Sequence, residues 1–206
     1  MTLYQRLKQD LQQGRFNPGE VLKQRELAEQ YGVSRIPVRD AVQKLKSEGW
    51  LVTHGKCGIA VPGFDPIEVE DIYLMRKHLE PLLQNLALQH LNSEILGRAR
   101  DILSSMDERS DLTAAEIGQH NWAFHACLYR AARRPTLFAM VEHLHLQCQR
   151  YIGYQSLSLN YQDRSQQEHH ALLDALQQGQ GERAAQLLQA HIVEAGEGLV
   201  SFLRQA

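Results

Sequence analysis

Residues 32–50 read GVSRIPVRDAVQKLKSEGW, a short helix whose two sides have different tasks. Ser34 stands where an N-cap belongs, because its hydroxyl can accept a bond from an unpaired first-turn N–H. Pro37 falls inside that first turn, where a missing N–H costs nothing. Val38, Val42 and Leu45 follow at i, i+4 and i+7, one apolar stripe at helical period. Arg35 and Arg39 are one turn apart on another face. Gly49 sits where a glycine closes a helix. Such a helix has the make-up of a recognition helix, whose N-terminal residues reach base edges in a major groove.

The flanks support this reading. Upstream, residues 2–13 form an amphipathic segment with Leu3, Leu7 and Leu11 in register, and Asn17-Pro18-Gly19 is a turn signal. Gln24 to Tyr31 predicts a second helix that ends at Gly32, so a tight turn joins it to the next and makes a helix-turn-helix. Downstream the period changes. Leu51-Val52-Thr53 and Ile59-Ala60-Val61 are β-rich and enclose His54-Gly55-Lys56-Cys57-Gly58, a hairpin with a basic tip. Three helices and a hairpin predict a winged helix over residues 1–62, with Lys56 on phosphate.

Charge divides in the same place. Residues 1–62 carry 10 Lys+Arg against 6 Asp+Glu, whereas residues 63–206 carry 12 against 18. A basic first third on an acidic remainder points to a nucleic-acid module joined to a second unit. Cys57, Cys127 and Cys148 form no C-x-x-C pair, which fits a reduced, cytoplasmic compartment. No signal-peptide pattern and no run of about 18 apolar residues occurs, so neither export nor a membrane span is expected.

Pro62-Gly63-Phe64-Asp65-Pro66 breaks the composition, and residues 63–66 read as a linker. From residue 67 to 206 the pattern is helical throughout: about 67–91, with Pro81 kinking or dividing it, then 92–108, 114–132, 136–155, 163–178 and 182–204. The fold class is therefore mostly α, a winged helix-turn-helix followed by an all-α bundle.

Nine of the ten histidines lie in that bundle. His125 has Asn121 one turn before it, on the same face. His169 and His191 fall on the fifth and sixth helices of the bundle. Antiparallel neighbours could bring the three imidazoles and the amide to one point, a donor set suited to Zn²⁺ or Ni²⁺. On spacing alone, histidines on separate helices are more often satisfied core or surface residues than ligands.

Taken together, these segments resemble the GntR family of bacterial transcription regulators, in its FadR-like group with an all-helical FCD ligand-binding domain. The pattern R-E-L-A-E-x-Y-G-V-S-R-x-P-V-R-D-A-x-x-x-L-x-x-E-G runs from Arg25 to Gly49, and the wing H-G-K-x-G follows it. In the bundle the matching pieces are R-x-x-L-E from Arg76 to Glu80, N-x-x-F-H from Asn121 to His125, E-H-x-x-L-L-D-A-L from Glu168 to Leu176, and A-H-I from Ala190 to Ile192. The resemblance implies that Arg25, Ser34, Arg35 and Arg39 contact operator DNA, with His54, Gly55 and Lys56 at the wing tip. It implies that His125, His169 and His191 bind metal. The family's fourth ligand is usually an aspartate, and Asn121 occupies that position. Arg76 matches an arginine that faces the effector pocket, or else pairs with Glu80 in an i, i+4 salt bridge. Arg150 is a second candidate cation. The short second domain is similar to the six-helix, VanR-like branch.

The expected protein is a homodimer on a near-palindromic operator, probing for a small organic acid and released from DNA when the acid binds. An alternative is a metal-dependent helical enzyme with an accessory winged helix. Against it, H-E-x-x-H is absent, and of the two Glu-x-x-His pairs a di-iron bundle needs only Glu142/His145 is present. A third reading keeps DNA binding and makes the bundle a purely structural dimerisation unit.

Overall fold

The computed structural model describes residues 1–12, 15–55, 58–63, 65–109, 111–158 and 162–205, with the backbone alone at 114–115 and 149–158. These fall into two compact units, Met1–Asp65 and Pro66–Ala206.

The first unit contains α1 (Leu3–Gln12), β1 (Val21–Leu22), α2 (Gln24–Tyr31), α3 (Arg35–Ser47), β2 (Val52–His54) and β3 (Gly58–Ala60). Its core gathers Leu7, Leu27, Tyr31, Val38, Val42, Leu45 and Trp50, so the apolar stripes of all three helices meet. Gly32 adopts φ 65° and closes α2 in a left-handed cap, and the Val33 N–H returns to the Ala28 carbonyl at 3.0 Å. That cap lets α3 begin with only three residues between it and α2.

The strands differ from the sequence reading in two respects. β2 and β3 are shifted by one residue, because Leu51 is drawn into the core. β3 also pairs on its other side with β1, giving sheet order β1-β3-β2, antiparallel throughout. A strand of two residues is too short to leave a period in sequence.

The second unit has six α-helices among the described residues: α4 (Pro66–Ala87), α5 (Ser93–Asp107), α6 (Ala114–Tyr129), α7 (Pro135–Ser158), α8 (Gln162–Gln177) and α9 (Gly181–Gln205). Short 3₁₀ turns extend α4 and α6. α4 packs on α9, α7 and α6, while α8 packs on α9 and α5. Of the two outcomes expected at Pro81, kinking or dividing, division does not occur: α4 runs through it unbroken. At Gly196 the backbone of α9 meets the Tyr73 ring of α4. A Cβ there would lie 2.7 Å from ring carbons.

Candidate functional site

Two groups of side chains carry chemistry, one in each unit. In the first, α3 buries Val38, Ala41, Val42 and Leu45 and turns Arg35, Ile36 and Arg39 to solvent. Ser34 occupies the N-cap position with extended backbone, but its hydroxyl makes no capping bond and stays exposed. Arg25 on α2 is exposed and bonds Glu29 at 3.0 Å. Arg39 touches Asp40 only at 3.8 Å. Both are solvent-exposed ion pairs of the weak kind. Arg25, Ser34 and Arg35 line one depression together with Glu29 and Gly32. His54 and Gly55 are exposed at the end of β2, and Gly55 takes φ 58° there. Lys56 and Cys57 lie outside the described residues.

Ile36 is a residue the motif reading passed over. It is 66% exposed on the same side as the arginines, and an apolar side chain there suits a thymine methyl group. Its position off the Val38/Val42/Leu45 stripe was the available signal.

In the second unit, α6, α8 and α9 bring His125, His169 and His191 together, with one ring nitrogen of each within 4.8 Å of the others. All three are buried. The Nε2 atoms of His125 and His169 are 3.2 Å apart. Asn121 joins them through its amide nitrogen, 3.4 Å from His169 Nε2, so amide rotation is needed to present its oxygen. His191 Nδ1–H donates to Glu168 Oε2 at 2.7 Å, which turns its other nitrogen into an acceptor. Burial first, then the neighbouring imidazoles, hold His125 and His169 far below the ordinary histidine range.

This donor set fits a divalent transition ion. The His125 and His169 rings are neutral, as a ligand must be, and the His191 ring is oriented by an outer carboxylate. Nε2 of His125 and Nε2 of His169 face each other with at most one proton between them. His169 Nδ1 is buried with no hydrogen-bond partner among the described residues. With His125 protonated on Nδ1, one tautomer of His169 sets two lone pairs against each other, and the other leaves Nδ1 as a buried acceptor with no partner among the described residues.

Around the triad lies a buried polar layer. Arg76 and Glu80 on α4 are paired at 2.6 Å, and both are almost fully buried. Arg76 also reaches Cys148 Sγ at 3.6 Å and lies over the Tyr73 ring at 4.8 Å. Burial works against its charge, but Glu80, and after it Cys148 and Tyr73, more than offset this and raise its pKa. Both sequence readings of Arg76 were for a single role. The salt bridge is present, and the same guanidinium sends positive field to His125 and His145.

His145 on α7 went unselected in sequence. It stacks on Trp122 with ring centroids 4.6 Å apart. Burial and then Arg76 lower its pKa to about 3, against a bond to the Gly118 backbone. Its Nε2 and the side-chain amide of fully buried Gln84 find no partner among the described residues. The Arg150 side chain lies outside the described residues.

A winged helix with outward cations, joined to a helical unit with an enclosed polar interior, defines a DNA-binding regulator. The family comparisons give the same class. Residues 1–61 match the bacterial regulatory proteins of the gntR family, and residues 71–194 match the FCD domain. The chain therefore belongs to the GntR family of regulators with an FCD domain. It is 28% identical over 193 residues to the Nta operon transcriptional regulator of Aminobacter aminovorans, covering 93% of this chain and 90% of that protein. The solved structure of E. coli McbR/YncC matches with a TM-score of 0.73 at 25% identity, over 98% of this chain and 95% of that one. A putative GntR regulator from Rhodococcus sp. RHA1 shares the fold, with a TM-score of 0.79 at 19% identity over 97% and 96% of the two chains. These relatives are transcriptional regulators, and the enzyme alternative falls with them. No helix among the described residues is long and apolar enough to cross a membrane.

Proposed function

We propose that the chain is a homodimeric repressor that reads a near-palindromic operator and releases it when a small carboxylate enters the helical unit. The observation that carries this reading is the convergence of three buried imidazoles in a unit linked to a winged helix with outward cations.

On the DNA side, Arg35 and Arg39 supply bidentate donors for guanine O6 and N7, and Ile36 offers an apolar contact. Arg25, Ser34 and the wing at His54, Gly55 and Lys56 hold phosphates and fix register. The α3 helices of two copies, related by a two-fold axis, would address successive major grooves. For the dimer contact, α4 presents Ile67, Leu74, Met75 and Leu82, all more than two-fifths exposed. Their spacing forms one apolar seam at helical period.

On the effector side, His125, His169 and His191 would hold Zn²⁺ or Ni²⁺, with Asn121 as fourth donor after its amide turns. A bound ion would supply a strong positive attraction for a carboxylate. Three imidazoles and an amide bring no negative charge of their own, so that attraction is left undiminished for the effector. Arg76 adds positive field, and Arg150 is a proposed second cation. Gln84 and the unpartnered Nε2 of His145 are the candidate hydrogen-bonding groups for the rest of the acid. The effector can shift DNA affinity only by its differential affinity for the two arrangements of the protein. The six-helix bundle supports placing the chain in the VanR-like branch.

Two measurements test this. Metal content per chain, with His169→Ala as control, should give about one ion that the variant loses. DNA selected from a random pool by the purified protein should be a near-palindrome with half-sites about one helical turn apart or a multiple of it. An asymmetric selected site overturns the dimer reading, and absence of ion uptake from added Zn²⁺ or Ni²⁺ overturns the metal reading.

A further inference from the structure

We propose that Tyr129 and Glu80 form the outer partner that orients His125 for the metal ion, with Arg76 as the counter-ion that holds Glu80 in place. The proposal rests on the metal reading above and assigns roles to residues outside the ligand set.

The argument is a count of hydrogens. A phenol has one proton to donate. Tyr129 Oη is 2.7 Å from Glu80 Oε2, a carboxylate oxygen that can only accept, so the phenol proton goes there. Tyr129 Oη is also 3.3 Å from His125 Nδ1. With its proton already committed, the phenol oxygen can only accept from that nitrogen. His125 is therefore protonated on Nδ1, and its lone pair is on Nε2. That atom is the one facing His169 Nε2 at 3.2 Å. The tautomer that points a lone pair into the triad is thus selected from the far side of the ring.

Glu80 is suited to hold this position. Its second oxygen, Oε1, takes the Arg76 Nε–H at 2.6 Å. Arg76 is itself fixed by the Tyr73 ring and by Cys148. Both carboxylate oxygens are used, one on α4 and one on α6, so a single group ties the two helices together behind the metal ligand. His191 has the same arrangement in shorter form, its Nδ1–H going straight to Glu168. Outer partners of this kind fix ring orientation, and their loss typically weakens metal affinity 10–100-fold.

The test compares Zn²⁺ affinity of the wild type and Tyr129→Phe by competition with a chromophoric chelator. The thermal stability of both metal-free proteins is measured alongside. Phenylalanine keeps the ring and removes only the oxygen. The expected result is Zn²⁺ binding about 10–100-fold weaker, in a variant that still unfolds cooperatively when metal-free. A purely structural role would lower the melting temperature and leave affinity unchanged, and that result overturns the proposal. Nitrogen NMR of histidine-labelled, metal-free wild type decides the point even if the variant fails to fold. His125 protonated on Nδ1 supports the proposal, and His125 protonated on Nε2 overturns it. Wild-type protein that binds no Zn²⁺ overturns the underlying metal reading, and with it any role for Tyr129 in orienting a ligand. Wild type that binds, beside a variant that binds equally well, overturns this inference alone.

Discussion

The two units use arginine in opposite ways. On α2 and α3, Arg25, Arg35 and Arg39 are exposed and at most loosely paired with Glu29 and Asp40. On α4, Arg76 is 4% exposed and held by Glu80, Tyr73 and Cys148. An exposed cation costs the fold little to keep and is ready for a phosphate or a base. A buried one is tolerated only inside a satisfied network. The first unit therefore carries its function on a surface that can be altered without unfolding it. In the function proposed above, the second carries its site in its core, where most substitutions touch stability as well as binding.

The widest gap between the units is predicted at Arg76. Removing one partner of a buried ion pair typically costs about 3–5 kcal/mol, because the other charge is left without compensation. Arg76→Ala should destabilise the protein on that scale in urea unfolding, whereas Arg35→Ala should change stability by no more than about 0.5 kcal/mol. Similar losses for the two variants would end the contrast drawn here.

Protonation gives the next largest effect. His145 is neutral in the fold, with its pKa lowered to about 3, against about 6.5 in an unfolded chain. Between those values the unfolded state binds a proton that the folded state refuses, so stability falls as pH drops below about 6.5. By pH 5 the loss from this one residue is about 2 kcal/mol. Metal-free protein should lose more stability between pH 7 and pH 5 than His145→Phe, which has no such proton to gain. Equal losses would mean that His145 is already protonated in the folded protein or is reached by water.

Operator binding probes the other unit. Arg39→Ala should weaken specific DNA binding by about 1–3 kcal/mol with little change in melting temperature. Unchanged affinity for the selected operator would remove Arg39 from the base-reading set.

Legibility followed the same division. The recognition helix could be read from sequence because its signals are local: a cap, a first-turn proline and a stripe at helical period all lie between Ser34 and Leu45. β1 could not, since two residues owe their strand to pairing with β3, nearly forty positions later. In the bundle, the helices announced themselves by period, and motif pieces pointed to Asn121, His125, His169 and His191. Tyr129 gave no such signal, because nothing in sequence says that a tyrosine one turn past His125 will meet a glutamate from α4. His145 was hidden for the same reason, its neighbour Trp122 being on another helix. At Pro81 the local rule allowed either a kink or a break, and α4 continues through it.

The smallest predicted effect sharpens the comparison most. Arg25 is exposed, and its bond to Glu29 spans one turn of α2 at the surface. Such a pair contributes about 0.3–0.5 kcal/mol, so Glu29→Ala should leave the melting temperature almost unchanged. The substitution also removes a negative charge from the depression where Arg25, Ser34 and Arg35 meet. If that depression receives a DNA phosphate, affinity should rise, and the rise should shrink as salt is added, because it is electrostatic. The corresponding change at the buried pair, Glu80→Ala, should destabilise by about 3–5 kcal/mol. Two glutamates, each an i, i+4 partner of an arginine on a helix, would then differ about tenfold in what they contribute to the fold, through burial and the second bond that Glu80 takes from Tyr129. A Glu29→Ala variant that binds DNA more weakly would instead show that Glu29 positions Arg25 for its contact, and that the surface unit too depends on preset geometry.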